Sequence, residues 1–211
     1  MSKLIALLSV FMIALSVTAP SLARERVEPP AEPATDLSAR AATGIFGTSE
    51  DHVGGLVGAE VLVRRGWVVV GGMTALSAAL FEFRDVAVGP ELGIALRLPH
   101  WARVEVLGFG GARHYSRFGR DFLFGDNPGV SGTLPFVGLQ THLGVELGKP
   151  QARFSLGLRS FVDTDLGRLS KTHTYEETGW FTNGTSDVTK TDRIGLARAG
   201  LTLAIGGSFG L

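Results

Sequence analysis

From about Ala39 to the C-terminus the chain falls into segments in which apolar residues recur at every second position, and this alternation restricts those segments to extended structure with two unlike faces. The last stretch is the clearest. Leu201, Leu203, Ile205, Gly207, Phe209 and Leu211 share one face, and Asp192, Arg198, Thr202 and Ser208 share the other. Residues 151–164, 132–148, 86–98 and 53–65 repeat the pattern, while 101–116 alternates less cleanly. Residues 67–80 are almost all apolar or small, and 39–47 carries the weakest signal.

The connections predict the topology. Arg65-Gly66, Pro99-His100 and Lys149-Pro150 read as tight turns, whereas 48–52, 81–85, 117–131 and 165–191 are longer links. Short and long alternate along the chain, as in barrels with short periplasmic turns and longer external loops. The reading is an all-β, eight-stranded, antiparallel, up-and-down transmembrane β-barrel over 39–211, with both termini on the periplasmic side. The other fold compatible with the alternation is a soluble barrel or sandwich, in which inside and outside exchange. Strands of 13–20 residues, well beyond the soluble norm of about 5–6, and nearly uncharged apolar faces favour the membrane.

The N-terminus reads as an export signal. Lys3 precedes an apolar run from Leu4 to Val17, and Ser21-Leu22-Ala23 supplies small residues for a cut after Ala23. Residues 1–23 are therefore expected to be a cleaved signal peptide; the run is short for an anchor helix. Residues 24–38 contain Glu-Pro-Pro-Ala-Glu-Pro and read as a periplasmic linker. The chain has no cysteine, which excludes disulfides, thiolate chemistry and a lipidated Cys. Its formal charge is +0 and no basic patch is interleaved with aromatics, so nucleic acid is not an expected partner. The five histidines lack metal-ligand spacing and no phosphate-cradling glycine loop is present; no metal or cofactor is expected.

With apolar faces toward lipid, the opposite faces line the lumen. They carry Glu60, Arg64, Glu91, Arg97, Arg103, Glu105, Arg113, Glu146, Arg153, Arg159, Asp163, Asp192 and Arg198, which is seven arginines against six acids. Eight strands enclose a space that side chains fill, and buried charges need partners. The near balance predicts an interlocked ion-pair network. Such a network can plug a barrel or line a narrow, porin-like ion path, and the small strand number favours the plug.

On these features the chain resembles the small outer-membrane barrels of the OmpA and OmpX type. The resemblance covers about 39–211 and includes a final strand, Gly200-Leu-Thr-Leu-Ala-Ile-Gly-Gly-Ser-Phe-Gly-Leu211, similar to a C-terminal assembly signal. It implies a bacterial outer-membrane location, a boundary of outer-membrane lipid, and recognition of Phe209 and Leu211 by the barrel-assembly machinery. Such signals usually end in an aromatic residue, and here Leu211 is last.

Two regions carry possible activity. Loops 117–131 and 165–191 hold Phe122, Phe124, Tyr175, Trp180 and Phe181 as candidate contacts for an extracellular ligand or as interfacial anchors. His114-Tyr115-Ser116 places a His and a Ser on the outward face at the rim. That pair is similar to the arrangement of lipid A 3-O-deacylases, which implies Ser116 as nucleophile and His114 as base. Arg117 stands where that family has Asn, and no acid occupies a matching third place. The primary expectation is a structural or surface-interaction barrel; a deacylase-like enzyme and a narrow pore are the alternatives.

Overall fold

The computed structural model describes residues 35–79, 83–98, 102–117, 130–149, 151–178 and 185–211. Ten strands are formed: β1 (Thr35–Thr48), β2 (Val53–Arg65), β3 (Val68–Ala79), β4 (Phe83–Arg97), β5 (Ala102–Arg117), β6 (Ser131–Lys149), β7 (Ala152–Asp165), β8 (Leu169–Thr178), β9 (Thr185–Ile194) and β10 (Ala197–Gly210). Eight of them close into a barrel in the order β1-β10-β7-β6-β5-β4-β3-β2, with β8 and β9 forming a separate two-stranded sheet. Every barrel pairing is antiparallel, and closure is made by β1 against β10, from Asp36–Gly210 to Thr48–Arg198. No strand of the barrel is left with an open edge.

Three departures from the sequence reading concern boundaries. Strand β1 begins at Thr35, so residues 35–38 belong to the barrel and not to the linker. Strand β4 begins at Phe83, inside the stretch read as the 81–85 loop. The stretch 165–191, read as a long external loop, carries a regular hairpin: β8 pairs with β9 from Leu169–Ile194 to Thr178–Thr185. Its strands are rich in Thr, a strong β-former, which low hydrophobicity concealed. The signal segment, the turns at Pro99-His100 and Pro150, and most of loop 117–131 lie outside the described residues.

The two ends differ. At one end the strands are joined tightly, as at Arg65-Gly66-Trp67-Val68, where Gly66 takes a positive φ of 61° that a side chain would strain. The other end carries the hairpin and the longer connections. The first is the turn end of the barrel and the second its loop end.

Exposure decides between membrane and soluble barrels. Leu92 is 61% exposed, Val57 57% and Leu203 53%, whereas Glu105 and Arg113 are 0% exposed. A soluble barrel would show the reverse. The outward apolar run spans Val86–Leu96 on β4 and Val137–Leu147 on β6. Ten residue steps at barrel tilt rise roughly 25 Å, the height of the lipid-facing band of outer-membrane barrels. At the turn end this band is edged by exposed Trp67, Phe154 and Phe209, an aromatic girdle.

Candidate functional site

The lumen is packed with two ion-pair networks. Nearer the turn end, Arg40 reaches across from β1 and forks onto Glu105 of β5, Nη1 to Oε2 at 2.5 Å and Nη2 to Oε1 at 2.8 Å. Its Nη1 also donates to Glu60 on β2 at 3.2 Å. Glu60 is shared with Arg159 Nη2 at 2.5 Å. Arg103 pairs with Glu105 and, at 2.7 Å, with Glu146, which Arg153 approaches at 3.4 Å. Arg64 pairs with Asp36, and Gln140 donates to Glu91 at 2.7 Å. These side chains come from β1, β2, β4, β5, β6 and β7, so one charge system ties opposite walls together.

Nearer the loop end, two arginines hold three aspartates. Arg198 grips Asp163 through Nε at 3.1 Å and Nη2 at 3.0 Å, and its Nη1 reaches Asp85 and donates to Ser77 Oγ at 2.7 Å. Arg113 pairs with Asp163 at 2.9 Å and Asp165 at 2.7 Å. Aromatic faces cover both cations: the Arg113 guanidinium lies 4.4 Å from the Phe136 ring centre, and that of Arg198 5.3 Å from Phe46. Phe161 stands between Arg159 and Asp163 on β7, and Phe109 between Glu105 and Arg113 on β5. Together with Phe46, Phe83, Tyr115 and Phe136 they form one buried cluster, with Phe83 and Tyr115 on the loop-end side of Asp85 and Arg113.

His142 lies within the turn-end network, opposite both Glu105 and Arg159 in register. Its ring rests on bare backbone: a Cβ at Gly157 would stand 2.7 Å from Nε2. Glycine here makes room for an imidazole inside a narrow barrel.

Of the thirteen charges read from sequence, Glu60, Arg64, Glu91, Arg103, Glu105, Arg113, Glu146, Arg159, Asp163 and Arg198 are buried in the lumen. Arg153 is there too, half-buried at its turn end. Arg97 lies on β4 opposite Arg103, with only its backbone described. Asp192 is not on a lumen strand. It belongs to β9, opposite Lys171 in the hairpin, because the chain breaks at Gly195-Leu196 before β10 begins. Alternation runs in step across that break and so hides it. Four lumen charges were missed: Asp36, Arg40, Asp85 and Asp165. The signal for three of them was present, since Asp36-x-Ser38-x-Arg40 and Asp85 continue the inward face of their strands.

At the loop end, Asp165 anchors the hairpin. Its Oδ1 accepts from Arg113, and its Oδ2 accepts from Tyr115 OH at 2.6 Å and from Leu196 N–H at 2.9 Å. Leu169, Ile194 and Leu196 pack onto the barrel's aromatic cluster beneath the hairpin. Above this base, Thr172–Thr191 and Thr174–Thr189 hydroxyl pairs at 2.9 and 3.1 Å stitch the two strands. Among the loop aromatics singled out by sequence, Tyr175 lies in β8 with only its backbone described, and Phe122, Phe124, Trp180 and Phe181 are outside the described residues.

His114 and Ser116 are exposed on the outer face of β5. His114 Nδ1 lies 3.0 Å from Thr133 Oγ1, and Nε2 lies 3.4 Å from Ser131 Oγ. Both contacts are to β6, and Ser116 is paired across β4 with Arg84, not with an acid. No outward carboxylate stands on the described parts of β4, β5 or β6. The charge-relay geometry of a nucleophile, base and orienting acid is not assembled among these residues. No group of three or more His, Cys, Asp or Glu suited to a metal ion occurs among the described residues.

The closed eight-strand barrel has a counterpart in a solved structure. Neisserial surface protein A superposes with a TM-score of 0.51 at 12% identity, covering 86% of this chain and all of that one. The fold is that of a small outer-membrane β-barrel. The β domain of the Bordetella autotransporter BrkA (TM-score 0.45, 10% identity, covering 84% of this chain and 100% of that one) and Ail of Yersinia pestis (0.43, 12%, covering 85% and 100%) are also similar. No protein-family model matches the chain, and no curated protein matches it.

Proposed function

We propose that this barrel is a closed, non-conducting scaffold of the bacterial outer membrane that presents its loop end to a partner outside the cell. The observation that carries this reading is the pairing of a filled lumen with an anchored hairpin. Two ion-pair networks and an aromatic layer occupy the interior, while β8–β9 is fixed to the rim by Asp165. A plugged lumen leaves activity to the exterior. The hairpin and its neighbouring loops are where a ligand has access. The exposed Phe209 and Leu211 at the end of β10 are the residues through which the assembly machinery would engage the closing strand.

The chain has no native cysteine, so single cysteines report sidedness cleanly. Lys171 on the hairpin and Arg65 at the turn end are both exposed. A membrane-impermeant maleimide on intact cells is expected to label Lys171→Cys at once and Arg65→Cys only after permeabilisation. Labelling of Arg65→Cys alone, or of neither residue before lysis, contradicts the proposed orientation.

A further inference from the structure

Among the described lumen acids, Asp36, Glu60, Asp85, Glu105, Glu146, Asp163 and Asp165 each lie within 3.6 Å of an arginine nitrogen. Glu91 is the exception. It is 1% exposed, its Oε1 accepts from the Gln140 amide at 2.7 Å, and no arginine reaches it. Its Oε2 is buried with no hydrogen-bond partner, and so is Oε2 of Glu60. The ladder sets Gly71 of β3 and Phe109 of β5 opposite Glu91, so its flanks within the wall are apolar. The charged groups facing it are Glu60 of β2, Arg159 of β7 and Arg40 of β1. Both arginines are already committed, Arg159 to Glu60 at 2.5 Å, and Arg40 to Glu105 at 2.5 Å and Glu60 at 3.2 Å. Glu105 of β5 and His142 of β6 lie nearer the turn end, and β10 carries Thr202, opposite Arg159.

We propose that Glu91 sits in the folded barrel as a neutral acid, and that loss of its proton is a pH-sensitive release of the turn-end network. An ionised carboxylate with neither a cation nor a full set of donors is costly to bury, and a second negative charge facing it adds to that cost. Gln140 supplies one donor, which the carbonyl oxygen of a neutral carboxyl accepts. As an O–H, the other oxygen becomes a donor, and Glu60, which faces it, holds an unpartnered acceptor. When the proton leaves for solvent as pH rises, Glu91 and Glu60 are both charged and repel. That repulsion falls beside Phe109, a member of the buried aromatic cluster.

Glu91 is buried whatever the loop end binds, so its proton is read apart from the proposed partner. The unfolded chain gives up this proton in the ordinary carboxylate range, at about pH 4.3, whereas the folded barrel keeps it. Above that range one retained proton lowers the folding equilibrium of the wild type by up to about tenfold per pH unit, until the barrel itself releases it. Wild type and Glu91→Gln, whose amide mimics the neutral acid, are unfolded with urea from lipid vesicles between mildly acidic and mildly alkaline pH. The folding equilibrium of the variant relative to the wild type is expected to grow severalfold or more toward alkaline pH. Glu105→Gln, which strands Arg40 and Arg103, is expected to lower stability at every pH without that trend. Infrared spectra in ester-free detergent at neutral pH are expected to show a protonated carboxyl band that Glu91→Gln lacks. A pH-independent ratio overturns the proposal, as does a band that Glu91→Gln retains unchanged. Should Glu91→Gln fail to fold, the wild type alone is tested by that band, whose presence supports the proposal and whose absence overturns it.

Discussion

At the scale of residues, the interior is governed by the cost of burying charge. Arg198 satisfies two aspartates and a serine hydroxyl, and Arg113 shares both of those aspartates, Asp163 at 2.9 Å and Asp85 at 3.6 Å. Removing one member of such a set strands the others in a dry space. Arg198→Ala is therefore expected to lower unfolding free energy by about 3–5 kcal/mol, read as an earlier urea midpoint in detergent or liposomes. Replacing Arg153, whose contact to Glu146 is long at 3.4 Å and lies at the partly wet turn end, should cost far less. A reversed ranking would contradict the assigned network. Much of this interior was legible in the sequence, because charge falls on alternate positions of strands with apolar partners. What escaped was local. Asp36 and Arg40 sit beside a proline-rich segment and in a strand of alanines and glycines, where alternation has little amplitude. Asp165 ends its strand, where periodicity has no further residues to confirm it.

At the scale of elements, one strand face meets lipid and the other the lumen, so a substitution's cost depends on parity and depth. Leu92 is outward and near the middle of the apolar run of β4. Leu92→Arg is expected to destabilise by about 2–4 kcal/mol, and His114→Arg, at the rim of β5, by about 0–1. Equal costs in a folding titration would remove the depth assignment. The hairpin is an element that sequence reasoning could not see. Its Thr- and charge-rich strands lack an apolar face, since they project beyond the lipid band and pair mainly with each other. The alternation rule reports burial, and a solvent-exposed ribbon has none to report. Its anchor makes a separate prediction. Asp165→Ala removes the acceptor for Tyr115 OH, Leu196 N–H and Arg113. The variant should be cut faster within 169–194 by protease added to intact cells. If cleavage is unchanged, the anchor does not fix the hairpin.

At the scale of the whole molecule, the barrel inverts the plan of a soluble protein. Most of its strand leucines and valines face outward, and arginines and carboxylates share the interior with a cluster of phenylalanines. Alternation alone allowed either sense of the barrel. Strand length and the rhythm of short and long connections pointed to the membrane, and the direction in which Arg113 and Glu105 face decides it. The barrel also explains why a chain with many buried charges needs no disulfide: every edge of the eight barrel strands is paired, and opposite walls are bridged by an arginine fork. On the proposed function, the plugged lumen leaves activity to the loop end. Single-channel recording in a planar bilayer tests this most directly. The purified, heat-modifiable wild-type protein is expected to insert without steady conductance; large, stable ion currents from that same protein would contradict a lumen closed by its ion pairs.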